Sequence, residues 1–189
     1  MWRSSVNVAA SILALTGFDG RASTHDLAAA SASGVRSLPC REFIGTQPPA
    51  RGMRVVLGVV ALPASPGLRR ALQTAPSQLH DPQARLFAKW GLVIRPSAQF
   101  RVLVPGRLQS QLSIGWGNAG ENHVGTTIVV NRCTGPPRAK WLAYAGGYYV
   151  RNPICATLIV AAGRQERRVR IGVGRACPGQ GPPPAPTSR

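Results

Sequence analysis

The chain is poor in acid. Six Asp and Glu residues stand against 23 Lys and Arg in 189 residues, for a formal charge of +17. Lysine is also scarce: apart from Lys89 and Lys140 every cation is arginine, and only three histidines are present. So few carboxylates and imidazoles leave little material for a carboxylate-pair active site, an oxygen-ligand cation site or a multi-histidine metal centre. No metal and no cofactor is expected. Long apolar runs are missing as well, because the stretch at residues 6–15 falls well short of the ~20 residues that span a bilayer. The four cysteines, Cys40, Cys133, Cys155 and Cys177, form no C-x-x-C pair and have no histidine at finger spacing, which argues against zinc and thioredoxin-like chemistry. G-x-S-x-G, H-E-x-x-H, the P-loop and a helix-opening G-x-G-x-x-G are all absent, which removes the common hydrolase, metalloprotease and nucleotide signatures.

What is abundant is arginine, together with Ala, Gly and Pro. The four share GC-rich codons, so the charge has a compositional explanation beside a functional one. In the functional one an arginine-rich surface attracts a polyanion: acidic cell-wall polymer, lipid head groups, an acidic protein or nucleic acid. Residues 1–39 hold Arg3, Arg21 and Arg36 against Asp19 and Asp26, a net +1, which leaves +16 on the remainder. That charge is spread along the chain, with no basic run of the kind that marks a nucleic-acid-binding arm.

The first 39 residues read as a leader. An apolar stretch follows Trp2 and Arg3, and Ala30-Ser31-Ala32 supplies an A-x-A cleavage pattern, so that a mature chain would begin near Ser33. Asn7 within the apolar stretch, and Asp19, Arg21, His25 and Asp26 after it, depart from a clean signal. A cytoplasmic protein with an extra leader is the alternative. Four widely spaced cysteines favour export to the envelope or the medium, where disulfides persist. Of three possible connectivities, Cys40 with Cys177 and Cys133 with Cys155 is expected, since it ties the two ends of the domain together.

From Cys40 on, the dominant period is two. Residues 53–62 (MRVVLGVVAL) read as one doubly buried strand. Alternation then marks strands at 86–94, 100–104, 112–116, 126–130, 141–150, 154–160 and 168–173, with Gly, Pro and Asn punctuation between them. In the last, Val169, Ile171 and Val173 point one way, and Arg168 and Arg170 the other. Seven or eight such strands predict an all-β antiparallel sandwich over 40–177, with the immunoglobulin arrangement as the nearest pattern. Residues 63–82 form a long connection with a turn of helix at 68–73. The proline-rich segment 178–189 is expected to be a disordered polyproline tail.

Leu112-Ser113-Ile114-Gly115-Trp116-Gly117-Asn118, the run from Trp141 to Val150, and Val169 to Pro178 together resemble an uncharacterised family of small exported proteins from high-GC Gram-positive bacteria. The resemblance implies an exported, disulfide-stapled β-domain. It implies no activity, cofactor or catalytic residue.

Two candidate sites emerge. Trp141, Tyr148 and Tyr149, with Arg151 beside them, offer an aromatic platform for a sugar ring, and Arg168 and Arg170 add a basic strand face. Glu121-Asn122-His123, with Ser113 or Thr126, is the one acid–base arrangement that suggests a hydrolase. The leading expectation is a non-enzymatic envelope-associated module, binding or structural, whose cationic face meets an anionic cell-wall polymer, lipid head groups or an acidic protein. Nucleic acid becomes the partner only if the chain stays in the cytoplasm.

Overall fold

Alternating β-branched and polar residues give short strands almost throughout residues 34–117 and 123–185, the residues that this computed structural model describes. There are fifteen among them, in three five-stranded sheets. Sheet 1 has the order β1 (Val35–Ser37), β11 (Thr127–Asn131), β8 (Gln99–Leu103), β14 (Ile154–Ala162) and β15 (Gln165–Val173). Sheet 2 runs β10 (Val124–Gly125), β9 (Leu112–Trp116), β13 (Gly146–Val150), β6 (Leu86–Lys89) and β5 (Ala75–Pro76). Sheet 3 runs β2 (Phe43–Gly45), β12 (Leu142–Tyr144), β7 (Leu92–Ile94), β4 (Val60–Pro63) and β3 (Met53–Val56). Every pairing is antiparallel except that of β1 with β11. The all-β, sandwich-like class expected from the sequence holds. The strand number is larger because three expected runs each give two strands, and because β1, β2, β5 and β10 lie outside the expected runs.

Those breaks have local causes. Within 53–62, Leu57 and Gly58 both take positive φ (52° and 71°), which turns the run into the β3–β4 hairpin. The run 86–94 crosses from sheet 2 to sheet 3 at Trp90-Gly91, and the run 141–150 from sheet 3 to sheet 2 at Ala145. Strands that switch sheets in this way make the corners of packed sheets. The two crossings are tied together: the Trp90 amide donates to the Gly146 carbonyl (2.9 Å), and the Trp116 indole nitrogen donates to the Trp90 carbonyl (3.0 Å). Gly146 has a φ of 144°, and a side chain there would collide with the Gly115 carbonyl, so only glycine lets β13 and β9 approach at the corner.

One core serves all three sheets. Phe100, Val102, Ile128, Leu158 and Ile171 from sheet 1 meet Ile114, Trp116 and Tyr148 from sheet 2 and Leu62, Leu92, Ile94 and Tyr144 from sheet 3. Trp116 packs edge-on against Tyr148, with ring centroids 5.6 Å apart. At ~1.5–3 kcal/mol for each fully buried large side chain, this core is the main stabilising element.

The ordered structure extends beyond 40–177 at both ends. β1 lies inside the span read as leader, and the Gly34 carbonyl accepts from the amides of Thr126 and Thr127. At the other end Gly181 bridges Arg70 in parallel, so residues 180–182 are held in place within the segment read as a free tail. The same contact replaces the helical turn expected at 68–73. That segment is extended, with Leu72 bridging Val173 along the edge of β15. The proposed cleavage point after Ala32 lies outside the described residues.

The four cysteines are bonded, but not as expected. The bridges are Cys40–Cys133 and Cys155–Cys177, with Cα atoms 4.9 and 5.0 Å apart. β1 explains the first. It runs parallel to β11 with Ser37 opposite Val129, so both chains leave the sheet at the same end, with Cys40 and Cys133 a few residues on. In the second, Cys155 stands opposite Gly172, and the chain turns back at Gly174 (φ 66°) to return Cys177. Two disulfides are the pattern of an oxidising environment. Among the described residues, no helix is long and apolar enough to cross a membrane.

Candidate functional site

Sheet register decides which predicted residues share a surface, because directly paired residues point to the same side. On β14, Ala156, Leu158 and Val160 face the core, which leaves Thr157, Ile159 and Ala161 on the outer side. Thr157 pairs with Arg170, Ile159 with both Leu103 and Arg168, and Ala161 with Arg101. Continuing across the sheet, Leu103 pairs with Thr127 and Thr127 with Val35. The outer face of sheet 1 is therefore a half-exposed aliphatic band from Val35 through Leu103 to Ile159, flanked by the exposed Arg101, Arg168 and Arg170. Neighbouring strands lie ~4.8 Å apart and residues along a strand rise ~3.3 Å, so Arg101 and Arg168, two strands and two residues apart, sit about 12 Å from one another, with Glu166 in the row of Arg101. Glu166 is the one carboxylate in the strands of this sheet.

The aromatic cluster divides differently from expectation. Tyr148 is removed from the candidate surface: it is fully buried, with its ring between Ile114 and Ala88 in the register. Its hydroxyl has no hydrogen-bond partner, and burial pushes its pKa up. Trp141 is also buried, lying over Ala61, Val93 and Ala143 on the outer side of sheet 3. Arg95 closes it off, with the guanidinium carbon 4.0 Å from the ring centroid. Trp141 is thus the covering of a small satellite core, with Arg95 over its ring.

Tyr149 does face outward. It sits half-buried on sheet 2 in one row with Ser113, Phe87 and Ala75, and its ring lies 4.7 Å from that of Phe87. Partial burial raises the pKa of its phenol. Arg151 follows at the strand end, exposed, its amide bonded to the Gln111 carbonyl. The five candidate residues therefore fall on three environments: Arg168 and Arg170 on sheet 1, Tyr149 and Arg151 with sheet 2, and Tyr148 in the core. Arg101 and Phe87 were not singled out from the sequence. The alternation of Arg101 with Phe100 and Val102 carries the signal for the first; Phe87 needed the register.

Of the Glu121-Asn122-His123 loop, Glu121 and Asn122 lie outside the described residues. The His123 Nε2 is 3.9 Å from a carboxylate oxygen of Glu42, a residue 81 positions earlier in the sequence. Ser113 and Thr126 are both buried, and Thr126 directs its hydroxyl to the Gly34 carbonyl at 3.5 Å. His123 and Thr126 thus each contact a residue flanking β1, Glu42 after it and Gly34 before it. Among the described residues, no group of three or more His, Cys, Asp or Glu side chains is placed to hold a metal ion.

No protein-family model, no curated protein and no solved structure matches this chain.

Proposed function

We propose that the chain is a non-enzymatic binding module of the cell envelope or the secreted medium, and that the outer face of sheet 1 is its contact surface. The observation that supports this reading is the shared orientation of Arg101, Arg168 and Arg170 around an aliphatic band on one side of a five-stranded sheet. Guanidinium groups engage carboxylate or phosphate bidentately, and the aliphatic band adds apolar contact between them. The partner of this chemistry is an anionic cell-wall polymer, which presents acidic groups at repeated intervals. Two disulfides agree with such a compartment.

The test is binding to purified anionic cell-wall polymer at rising ionic strength. Charge-driven contact weakens steeply between about 50 and about 500 mM salt as the Debye length shrinks. Changing Arg101, Arg168 and Arg170 together to Ser should abolish it without lowering the melting temperature. Salt-insensitive binding, or full binding by the triple variant, refutes the reading.

A further inference from the structure

A second site lies away from sheet 1, at the edge of sheet 2. A cavity of about 800 Å³ opens between the extended segment 68–75, strand β6 and the chain near Pro184. Leu72, Phe87 and Trp90 supply apolar and aromatic lining, and Arg70 and Lys89 supply two cations; among the described residues no carboxylate lines it. Register explains the placement. Phe87 and Lys89 are two residues apart on β6 and so project to the same outer side. Lys89 stands opposite Gly147, which has no side chain to cover it, and a methyl group on Gly147 would lie 2.9 Å from the Phe87 ring. One edge of the Phe87 ring therefore lies over bare backbone, beside the tilted ring of Tyr149.

The opposite wall is built by the C-terminal segment. The Gly181 amide donates to the Arg69 carbonyl (2.8 Å) and the Ala71 amide to the Gly181 carbonyl (3.0 Å), while Gln180 donates to the Leu68 carbonyl (2.8 Å). Arg70 donates through Nε to the Pro182 carbonyl at 2.9 Å. That bond uses one of the five guanidinium N–H groups and leaves four. Residues 180–182 are thus docked, and Pro184 joins the lining of the cavity.

We infer that this cavity is a binding site for a carboxylated pyranose: the sugar ring stacks on the aromatic lining of Phe87 and Trp90, and Arg70 and Lys89 hold its carboxylate. An aromatic face favours the C–H side of a pyranose, and two cations with no opposing acid select the anionic sugar over a neutral one. The site is independent of the sheet 1 surface, sharing no residue with it.

The experiment uses the full oxidised chain. The probes are tetragalacturonate, neutral maltotetraose and inorganic phosphate, and the readout is the indole N–H resonance of Trp90. The buried Trp141 serves as the internal reference, since the indole N–H of Trp116 is bonded to the Trp90 carbonyl. Tetragalacturonate should shift the Trp90 signal saturably, with Trp141 unmoved. Phe87→Leu keeps an apolar side chain but removes the aromatic face, and Lys89→Ser removes one cation; each should weaken binding about tenfold. The Arg101, Arg168 and Arg170 triple variant should bind the probe as the parent does, so failure of either reading is separable from failure of the other. No shift of Trp90 with tetragalacturonate overturns the inference. So does equal binding of maltotetraose, which would leave the cations without a role, or of phosphate, which would leave the stacking without one.

Discussion

The hydroxyl of Tyr144 donates to the carbonyl of Cys40 at 3.1 Å. This bond fastens the middle strand pair of sheet 3 to the point where the N-terminal strand is cross-linked to Cys133. Tyr148 lies four residues on, is equally buried, and has a hydroxyl without a partner. The two phenols thus form a natural control pair. Tyr144→Phe should cost ~1 kcal/mol, the net worth of a buried hydrogen bond, with the Cys40 carbonyl left short of a donor. Tyr148→Phe removes a buried, unpaired hydroxyl and should be neutral or stabilising. Denaturant unfolding of both variants measures the difference.

High pH should unfold the chain through these same residues. Burial lifts the Tyr144 pKa from 10.0 to about 12 and moves those of Tyr148 and Tyr149 in the same direction. The native state therefore keeps protons that the unfolded chain has released. The associated stability is complete below pH 10 and is lost progressively as pH rises from 10 towards 12 and beyond. Since the sequence contains three tyrosines, tyrosinate absorbance near 295 nm should stay low at pH 10.5 in the folded chain and rise with unfolding. A gradual, unfolding-independent rise centred on pH 10 would contradict the burial of all three.

The bridge Cys40–Cys133 closes a separation of 93 residues, and Cys155–Cys177 one of 22. Loop-closure entropy makes the longer bridge the more stabilising, at ~4–5 kcal/mol against ~3. Replacing Cys40 and Cys133 together by Ser should thus lower the unfolding free energy more than replacing Cys155 and Cys177. Peptide mapping without reductant should recover these two pairs, and no peptide should link Cys40 to Cys177.

Truncation at the N-terminus should reveal the weight of β1. A chain beginning at Ser33 retains Gly34, the β1–β11 ladder and the buried Leu38, whose amide donates to the Val129 carbonyl at 2.8 Å. A chain beginning at Cys40 keeps the disulfide but loses all three. Burial of Leu38 alone accounts for ~2 kcal/mol, so the shorter chain should melt at a clearly lower temperature. Equal melting temperatures would show that β1 is dispensable.

Most of the sheet content was legible because alternation is a local signal. Arg168 and Arg170 against Val169 and Ile171, and Arg101 against Phe100 and Val102, show period two without any partner. What escaped depended on pairing. Val35–Ser37 is three residues long and reads as nothing by itself; only β11 makes it a strand. Missing it also misplaced Cys40, because a cysteine after a parallel strand lies beside the end of its neighbour. The interior position of Tyr148 and the outward one of Tyr149 follow from Ala88 and Phe87 opposite them. Parity along one strand says that the two tyrosines diverge but not which goes inside. Trp141 is hidden by Arg95, 46 positions earlier in the sequence, through contact across sheet 3.

The disulfide pattern also bears on how the chain matures. Each cysteine is joined to the next one along the sequence, the first to the second and the third to the fourth. A polypeptide that emerges N-terminus first can close Cys40 to Cys133 before Cys155 and Cys177 have appeared, and the second bridge then forms within a single hairpin region. No mispaired intermediate has to be opened on the way to the native arrangement, so oxidation can proceed in step with synthesis and without thiol–disulfide exchange. The parallel strand at the N-terminus thereby allows a strictly sequential order of assembly, which pairing of the two chain ends would have postponed until the last cysteine arrived.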